Sequence, residues 1–280
     1  MSPGSSPHQV LRVSAGGTPG TSDPDLLAVE EPLEIRVEGR VLATTMRTPG
    51  NDVELAHGWL LSEGIVASPR DVATARFDLA GDVTNSLNVL EVALSPWVER
   101  PNPAAARLGT TTASCGICGT ASIDAMAGTT AYPTADDPAV IGAQAVMRLP
   151  HELRGGQGLF ERTGGTHGAG LAGVDGSILC VREDVGRHNA VDKVLGWALI
   201  DARVPLGGHV LVLSGRAGFE LVQKAAMAGV PIVAAVGAPT ALAVQLAEAV
   251  GITLVGFITG ETANVYTRPD RVAADGPAAD

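Results

Sequence analysis

Two cysteines in residues 114–119, with the sequence SCGICG, form the most distinctive chemical pattern in the chain. Cys115 and Cys118 are separated by two residues, so their thiols can share a metal ion, form a reversible disulfide, or act as a nucleophile and its partner. The pattern is only half of a zinc site, because structural zinc needs two further ligands and no second pair has a suitable spacing. The third cysteine, Cys180, lies in an apolar run and is interpreted as a core residue.

A second pattern is the glycine-rich stretch TGGTHGAG at residues 163–170. We interpret it as a flexible turn whose backbone N–H groups can hold an anion, with His167 as a hydrogen-bond donor or proton carrier. Its spacing matches neither a dinucleotide-binding fingerprint nor a P-loop. A tight connection without any ligand is the alternative interpretation.

A third pattern, REDVGRHN at residues 182–189, joins the end of a predicted strand to the start of a helix. In a parallel sheet the carboxyl ends of strands face the ligand crevice. Arg182 and Arg187 suit a phosphate or carboxylate, and Asp184 is expected to hold His188 in one tautomer. An exposed, salt-bridged turn is the alternative.

Two further strand-to-helix turns, SGRAG at 214–218 and GAPT at 237–240, have equivalent positions. Helix amino termini attract anions, and these turns add Ser214 and Arg216 to the candidate residues. Together, the converging turns predict an anionic, nucleotide-like ligand. A zinc deaminase is disfavoured, because its His-x-Glu and Pro-Cys-x-x-Cys motifs are absent.

Most of these residues lie in a second half in which apolar strands alternate with helices. Strands that are apolar on both faces predict an α/β fold with a mostly parallel sheet and helices on both faces. The predicted strands are VDGSILCVRED, HVLVLSG, VPIVAAVG and GITLVGFITG, and the predicted helices span 188–200, 219–228 and 240–250.

The first half predicts a smaller α+β domain. LEIRVEGRVLA predicts a hairpin that turns at Glu38 and Gly39, followed by a helix over 53–62 and a strand within 86–95. We therefore divide the chain into a disordered tail (1–25), an N-terminal domain ending in the CxxC loop (26–134), a C-terminal cofactor-binding domain (135–271) and a second tail (272–280).

Composition excludes several classes of function. A net charge of −11 and only 3% aromatic residues argue against nonspecific nucleic-acid binding, which needs a basic surface and stacking side chains. The sequence contains neither an apolar run long enough to span a membrane nor the apolar core of a signal peptide. A cytoplasmic protein is the expectation.

Several motifs together resemble the FdhD/NarQ family, the sulfur carriers needed for formate dehydrogenase activity. The resemblance covers about residues 30–271. The motifs are SCGICG, TGGTHGAG, REDVGRHNAVDKV, SGRAGFELVQKAAMAGVPIV, APTALAVQLAEAVGITLVGF and NVYT.

This resemblance implies a cytoplasmic homodimer that takes persulfide sulfur from a cysteine desulfurase and delivers it for formate dehydrogenase maturation. The acceptor it implies is the molybdenum cofactor, bis-molybdopterin guanine dinucleotide, bound as a substrate, with no permanently bound metal. The persulfide position falls on Cys115, with Cys118 as its partner. The larger domain is expected to have a cytidine-deaminase-like layout without the deaminase zinc site.

The family's cofactor-contacting segment aligns with residues 257–262. Relatives commonly carry an arginine here, whereas this chain has threonines, so Arg187 or Arg216 would have to contribute more of the binding. A zinc- or nucleotide-binding regulatory module and a free-standing dithiol oxidoreductase are the alternative functions. The aligned residues are Phe257, Ile258, Thr259, Gly260, Glu261 and Thr262.

Overall fold

The computed structural model describes residues 4–13, 15, 20, 22–78, 87–101 and 130–274. Its helices are α1 (Asp52–Ser62), α2 (Ala143–Gly155), α3 (Gly158–Thr163), α4 (Arg187–Ile200), α5 (Phe219–Met227) and α6 (Ala241–Val250). Its strands are β1 (Ser5–Leu11), β2 (Ser22–Ala28), β3 (Glu31–Val37), β4 (Arg40–Arg47), β5 (Val72–Phe77), β6 (Val89–Leu94), β7 (Ile141–Gly142), β8 (His167–Gly173), β9 (Ile178–Asp184), β10 (His209–Leu213), β11 (Ile232–Ala235), β12 (Thr253–Gly256), β13 (Asn264–Val265) and β14 (Val272–Ala273).

The largest sheet has six strands in the order β13-β12-β11-β10-β8-β9. The prediction of a mostly parallel sheet is wrong, because only the pairs β10–β11 and β11–β12 are parallel and the other three pairs are antiparallel. Crossover helices α5 and α6 join the parallel strands, whereas short connections make β8–β9 and β12–β13 antiparallel. The fold is thus mixed α/β.

Helices cover both faces of this sheet, as the apolar strands predict. In β10, Val210 and Val212 pack in the hydrophobic cluster that includes α2, while Leu211 and Leu213 pack in the cluster with α4, α5 and α6. Side chains alternate between the two faces of a strand, so a continuous apolar strand requires a core on each side.

A four-stranded sheet of order β4-β3-β6-β5, with α1, forms the smaller unit. Its β3–β4 hairpin turns at Glu38 and Gly39, both with positive φ, as the sequence predicts. Helix α1 packs closely against α4, and one hydrophobic cluster includes residues of both units, such as Leu33 and Leu211. The two units therefore share a core.

Both chain ends differ from the predicted disordered tails. In the predicted first tail, strand β1 pairs with β2 as an antiparallel hairpin that extends a few residues past residue 25. In the predicted second tail, β14 pairs with β7. The pairing uses backbone groups, so the polar composition of these segments gives little sign of it. Within the described ranges, no helix combines the length and apolar character that a membrane crossing requires.

The glycine-rich stretch also differs from its prediction. Residues 167–173 form β8, a buried strand paired on both sides, instead of continuing a flexible turn. Gly168 and Gly170 lie so close to the side chains of Gln157 and Leu153 that a Cβ at either position would crowd them. The glycines here serve close packing as well as the turn at residue 164.

Candidate functional site

Four loops meet at one edge of the six-stranded sheet, and we call this region (residues 164–168, 214–218, 236–240 and 257–262) the loop edge. Because β8 is antiparallel to β10, the start of β8 lies beside the end of β10. The Gly168 amide donates to Ser214 Oγ at 2.9 Å, and the Ser214 amide donates to the Gly168 carbonyl at 3.0 Å. Two of the predicted turns are therefore held directly together.

Backbone hydrogen bonds continue this contact across the sheet. The Gly237 amide donates to the Gly215 carbonyl at 3.0 Å, and the Phe257 amide donates to the Gly237 carbonyl at 3.2 Å. A Cβ at position 237 would lie only 3.0 Å from backbone atoms of Gly215 and Arg216, so glycine is required for this approach. The loops after β10, β11 and β12 thus form one continuous surface.

The loop edge favours negatively charged ligands. Helices α5 and α6 begin there, and the amino end of a helix carries a partial positive charge with unpaired N–H groups. Arg216 is exposed between them and forms no salt bridge with any residue in the described ranges. An exposed guanidinium beside two helix starts can pair with phosphate oxygens.

The start of α4 adds two predicted residues to this region, Arg187 and His188. His188 Nε2 lies 2.7 Å from Glu220 Oε2, which links the first turns of α4 and α5. Burial lowers the pKa of His167, and the positive charge of the nearby Arg187 lowers it further. A neutral His167 ring has one donor and one acceptor nitrogen at neutral pH.

The predicted pairing of Asp184 with His188 is wrong. Asp184 is fully buried and lies 2.7 Å from Lys193 Nζ, and its other oxygen accepts from the Asn189 amide at 3.0 Å. Asp184 also accepts from the Thr48 amide at 3.1 Å. These bonds attach the end of β9 to the loop before α1, so Asp184 has a structural role.

Arg182 does not face the loop edge either. Its guanidinium forms two hydrogen bonds to the Glu54 carboxylate, at 2.6 and 2.8 Å, and so ties β9 to α1. The neighbouring Glu183 accepts from the first amides of α3. Of the charged residues in the REDVGRHN motif, Arg187 and His188 are the ones left near the loop edge.

The segment aligned with the family's cofactor contacts is divided between core and surface. The Ile258 side chain is 3% exposed and packs in the core, so a ligand at this edge can meet only its backbone. The Thr259 amide donates to the Thr262 carbonyl at 2.8 Å, closing an exposed turn that contains Gly260 and Glu261. Phe257 is half exposed and has a φ of 51°, a left-handed conformation that is unusual for a phenylalanine.

A cavity of about 600 Å³ adjoins the loop edge beneath α2 and α3. It includes the predicted residues His167 and Ser214. Gly164 and Gly165 of the predicted glycine-rich stretch line it as well, whereas the sequence reasoning missed the walls that come from α2 and α3, because these helices carry no recognisable motif. The other lining residues are Pro150, Leu153, Arg154, Gln157, Phe160, Thr166 and Val236.

The cysteines separate into two groups. Cys115 and Cys118 lie outside the described residues. Cys180 is 6% exposed, as predicted for a core residue, and burial raises the pKa of its thiol to about 11. Over the ranges that the structure describes, no three or more His, Cys, Asp or Glu side chains are grouped to hold a metal ion.

Comparisons with known proteins agree on one family. The FdhD/NarQ family model matches residues 28–273. The protein named Sulfur carrier protein FdhD from Mycobacterium tuberculosis is 54% identical over 254 residues, covering 89% of this chain and 92% of the relative. Its namesake from Streptomyces coelicolor is 50% identical over 269 residues, covering 95% of each chain.

The fold agrees with a solved structure as well. A crystal structure of a proposed formate dehydrogenase accessory protein from Desulfotalea psychrophila has a TM-score of 0.77 and 25% identity. The match covers 97% of this chain and all of the other. With a family match across most of its length and relatives at about half identity, this chain belongs to the FdhD/NarQ family.

Proposed function

We propose that this protein is a sulfur carrier that accepts persulfide sulfur from a cysteine desulfurase and passes it to the molybdenum cofactor for formate dehydrogenase maturation. The acceptor is bis-molybdopterin guanine dinucleotide, bound as a substrate, and the compartment is the cytoplasm. The names of the curated relatives and of the solved structure support this role. The homodimer remains a prediction, which sedimentation equilibrium of the full chain tests.

The observation that carries the ligand part of the proposal is the convergence of four loops at the loop edge. Two helix starts and the exposed Arg216 lie along one side of the sheet. This arrangement suits the pyrophosphate of a guanine dinucleotide, because helix starts and arginines are common phosphate partners. It offers positive sites despite the negative charge of the whole chain.

The cysteine chemistry supports the carrier part. At neutral pH Cys180 is a protonated, buried thiol, so it is a poor nucleophile. In the proposed loading step, the Cys115 thiolate attacks the terminal sulfur of the desulfurase persulfide, forms a new S–S bond and releases the desulfurase thiolate. Once the acceptor is bound, Cys118 attacks Cys115 Sγ, which releases sulfide to the acceptor and leaves a Cys115–Cys118 disulfide.

This sequence of steps balances electrons. The terminal persulfide sulfur gains two electrons as it leaves as sulfide, and the two cysteines lose two electrons as they form the disulfide. A cellular dithiol or glutathione must reduce that disulfide before the next cycle. Following the resemblance to the family, we assign the carrier position to Cys115 and the release of sulfur to Cys118.

Intact-mass measurement and peptide mapping test this assignment. The protein is incubated with a cysteine desulfurase and cysteine, and wild type is compared with Cys115→Ala, Cys118→Ala and the matched control Cys180→Ala. We expect wild type and Cys180→Ala to gain one sulfur atom that reductant removes, and Cys115→Ala to gain none. Failure of wild type to gain sulfur, under conditions that load a known acceptor, overturns the carrier function.

A regulatory module that binds a nucleotide or zinc without transferring sulfur is the alternative function, and the anion-favouring loop edge is compatible with its nucleotide-binding form. Normal formate dehydrogenase maturation in a Cys115→Ala strain would favour that module, as would stoichiometric zinc in protein purified without added metal. A free-standing dithiol oxidoreductase would instead show turnover of a substrate disulfide.

A further inference from the structure

We infer that His188 and Glu220 form a charge switch at the loop edge, through which the pH sets the affinity of this edge for an anionic ligand. The pair has no net charge when His188 is protonated and carries one negative charge when it is not. This inference rests on the proposed function and deepens it, because it assigns a form of regulation to the site where the anionic ligand binds.

The pair joins the first turns of two helices that begin at the loop edge. His188 is the second residue of α4 and Glu220 the second residue of α5, and His188 Nε2 lies 2.7 Å from Glu220 Oε2. The end of β9, which α4 follows, lies beside the start of β8, because these antiparallel strands pair His167 with Asp184. The pair is therefore close to the N–H groups of α5 that attract an anion.

A second ion pair lies one helical turn further along both helices. Lys224 Nζ lies 2.7 and 2.9 Å from the two Asp192 carboxylate oxygens, and the Ser62 hydroxyl donates to Asp192 Oδ1 at 2.9 Å. These residues follow the outer pair by four positions, so each helix presents both of its residues on one face. The two pairs together fix how α4 and α5 pack against each other.

The two pairs differ in their exposure and in whether their charge can change. The Asp192 and Lys224 side chains are 3% and 10% exposed, so the inner pair is shielded from water and its two charges compensate each other. The His188 and Glu220 side chains are 19% and 30% exposed, so water reaches the outer pair. Histidine is the side chain that most readily changes charge between pH 5 and 8. The outer pair is thus the part of this contact that can respond to pH.

The other ionisable groups around His188 do not provide the same response. Arg187 stays positive, because a guanidinium does not lose its proton in proteins. Asp184 lies 2.7 Å from Lys193 Nζ, so the charges of that buried pair are compensated as well. Burial lowers the pKa of His167, the charges of Arg187 and His188 lower it further, and Asp184 opposes them, which favours the neutral ring at neutral pH. Within this cluster, His188 is the group that changes its charge.

The charge of the outer pair affects a nearby anion directly. When His188 loses its proton, the pair becomes negative beside the positive start of α5, and anion binding weakens. For one charge about 7 Å from a divalent anion at a protein surface, Coulomb's law with screening by physiological salt gives about a fivefold change in affinity. A rise in pH therefore favours release of the ligand, and a fall in pH favours its retention.

Calorimetric titration of the full chain with inorganic pyrophosphate tests this inference, at about pH 5.5 and about pH 8, which bracket the usual range of histidine titration. Pyrophosphate itself gains charge as the pH rises, so each variant is compared with wild type at the same pH. His188→Gln keeps a hydrogen-bond donor but stays neutral, and Glu220→Gln removes the carboxylate charge. Glu248→Gln, which removes a carboxylate at an exposed position on α6, is the matched control.

We expect the affinity advantage of wild type over His188→Gln to be about fivefold larger at the lower pH than at the higher pH. Glu220→Gln should bind pyrophosphate about fivefold more tightly than wild type at both pH values, because it lacks one negative charge in either state. Glu248→Gln should match wild type. These opposite effects distinguish a charge switch from a purely structural pair, since breaking a structural contact from either side would weaken binding.

Weaker binding in both His188→Gln and Glu220→Gln at both pH values overturns the charge switch and leaves a structural pair. An advantage of wild type over His188→Gln that is the same at both pH values also overturns it, and the anion site of the proposed function stands. Wild type that binds no pyrophosphate at either pH overturns the inference together with the ligand part of that function. The gain of sulfur at Cys115 tests the carrier part separately.

Discussion

Replacement of Gly58 by alanine tests the contact between α1 and α4, through which the two units share a core. A Cβ at position 58 would lie 1.8 Å from the Asp192 carbonyl oxygen, and a Cβ at position 196 on α4 would lie 1.7 Å from the Glu54 carbonyl oxygen. Both contacts are with helix backbone, which cannot rotate away as a side chain can. The two helices approach at these glycines more closely than alanines would allow.

The magnitude follows from the distance. Ordinary contact with a Cβ begins at about 3.4 Å, so Gly58→Ala must separate the helices by about 1.6 Å at this point. A gap of only 0.5–1 Å already loses about a quarter to a half of the dispersion energy between packed atoms. We expect the free energy of unfolding to fall by about 3 kcal/mol or more, at the upper end for overpacking.

Thermal and urea unfolding of the full chain provide the measurement. For a protein of this size, about 3 kcal/mol corresponds to a Tm decrease of about 6–12 °C. Gly155→Ala is the matched control, because Gly155 lies at the end of α2 and a Cβ there meets nothing within 4 Å. A Gly58→Ala protein with the Tm and urea midpoint of Gly155→Ala would refute the argument.

Further predictions follow from the buried ionisable groups. Because the pKa of Cys180 is raised to about 11, native protein at pH 8 should not alkylate there with iodoacetamide; mass mapping that finds Cys180 labelled as fast as Cys115 contradicts this. Lys193→Met leaves the Asp184 carboxylate buried without its cation and should cost about 3–5 kcal/mol in urea unfolding, with part regained in the double variant with Asp184→Asn; an unchanged urea midpoint refutes the role of the pair. Burial lowers the pKa of His57 below its usual 6.5, so the unfolded chain binds more protons than the native state and stability is lost as the pH falls below about 6.5. His57→Gln should therefore lose less stability than wild type between pH 7 and pH 5, and equal losses in urea midpoint would contradict this.

The spacing of apolar residues predicts strands and helices correctly where the side chains of the element follow a single, simple pattern of burial. The apolar run 209–213 has side chains on two buried faces, and the helix 188–200 has an apolar face against a sheet; both appear as predicted. The turn at Glu38 and Gly39 is equally local, because glycine and its neighbour adopt positive φ in a two-residue hairpin. Such features depend on residues close in sequence.

Strand β8 shows why other parts of the fold could not be predicted. Its glycines are typical of a turn, and the strand forms because β9 and β10 supply backbone partners on both sides. Strand directions are likewise absent from periodicity, since a buried apolar strand has the same pattern whether its neighbours are parallel or antiparallel. The mixed order of the six-stranded sheet therefore had to come from the structure.

Some residues of the candidate site could likewise be predicted from the sequence, and others could not. Its strand-end turns, with Ser214 and Arg216, were predicted because the end of an apolar strand is visible in the sequence. Arg182 was misassigned, because its partner Glu54 lies 128 positions away and no local pattern reports such a pair. The buried Gln157 was missed for the same reason, since Gly168 is what makes room for it.

The family, the alternation of strands and helices, and the thiol pair Cys115 and Cys118 can therefore be recognised without the structure, because each depends on residue types at short spacings. Only the tertiary structure shows which charged residues are paired in the core, as Asp184 is with Lys193, and which remain at the loop edge. That division depends on distances between elements far apart in the chain. Such distances arise only when the two units pack into one core.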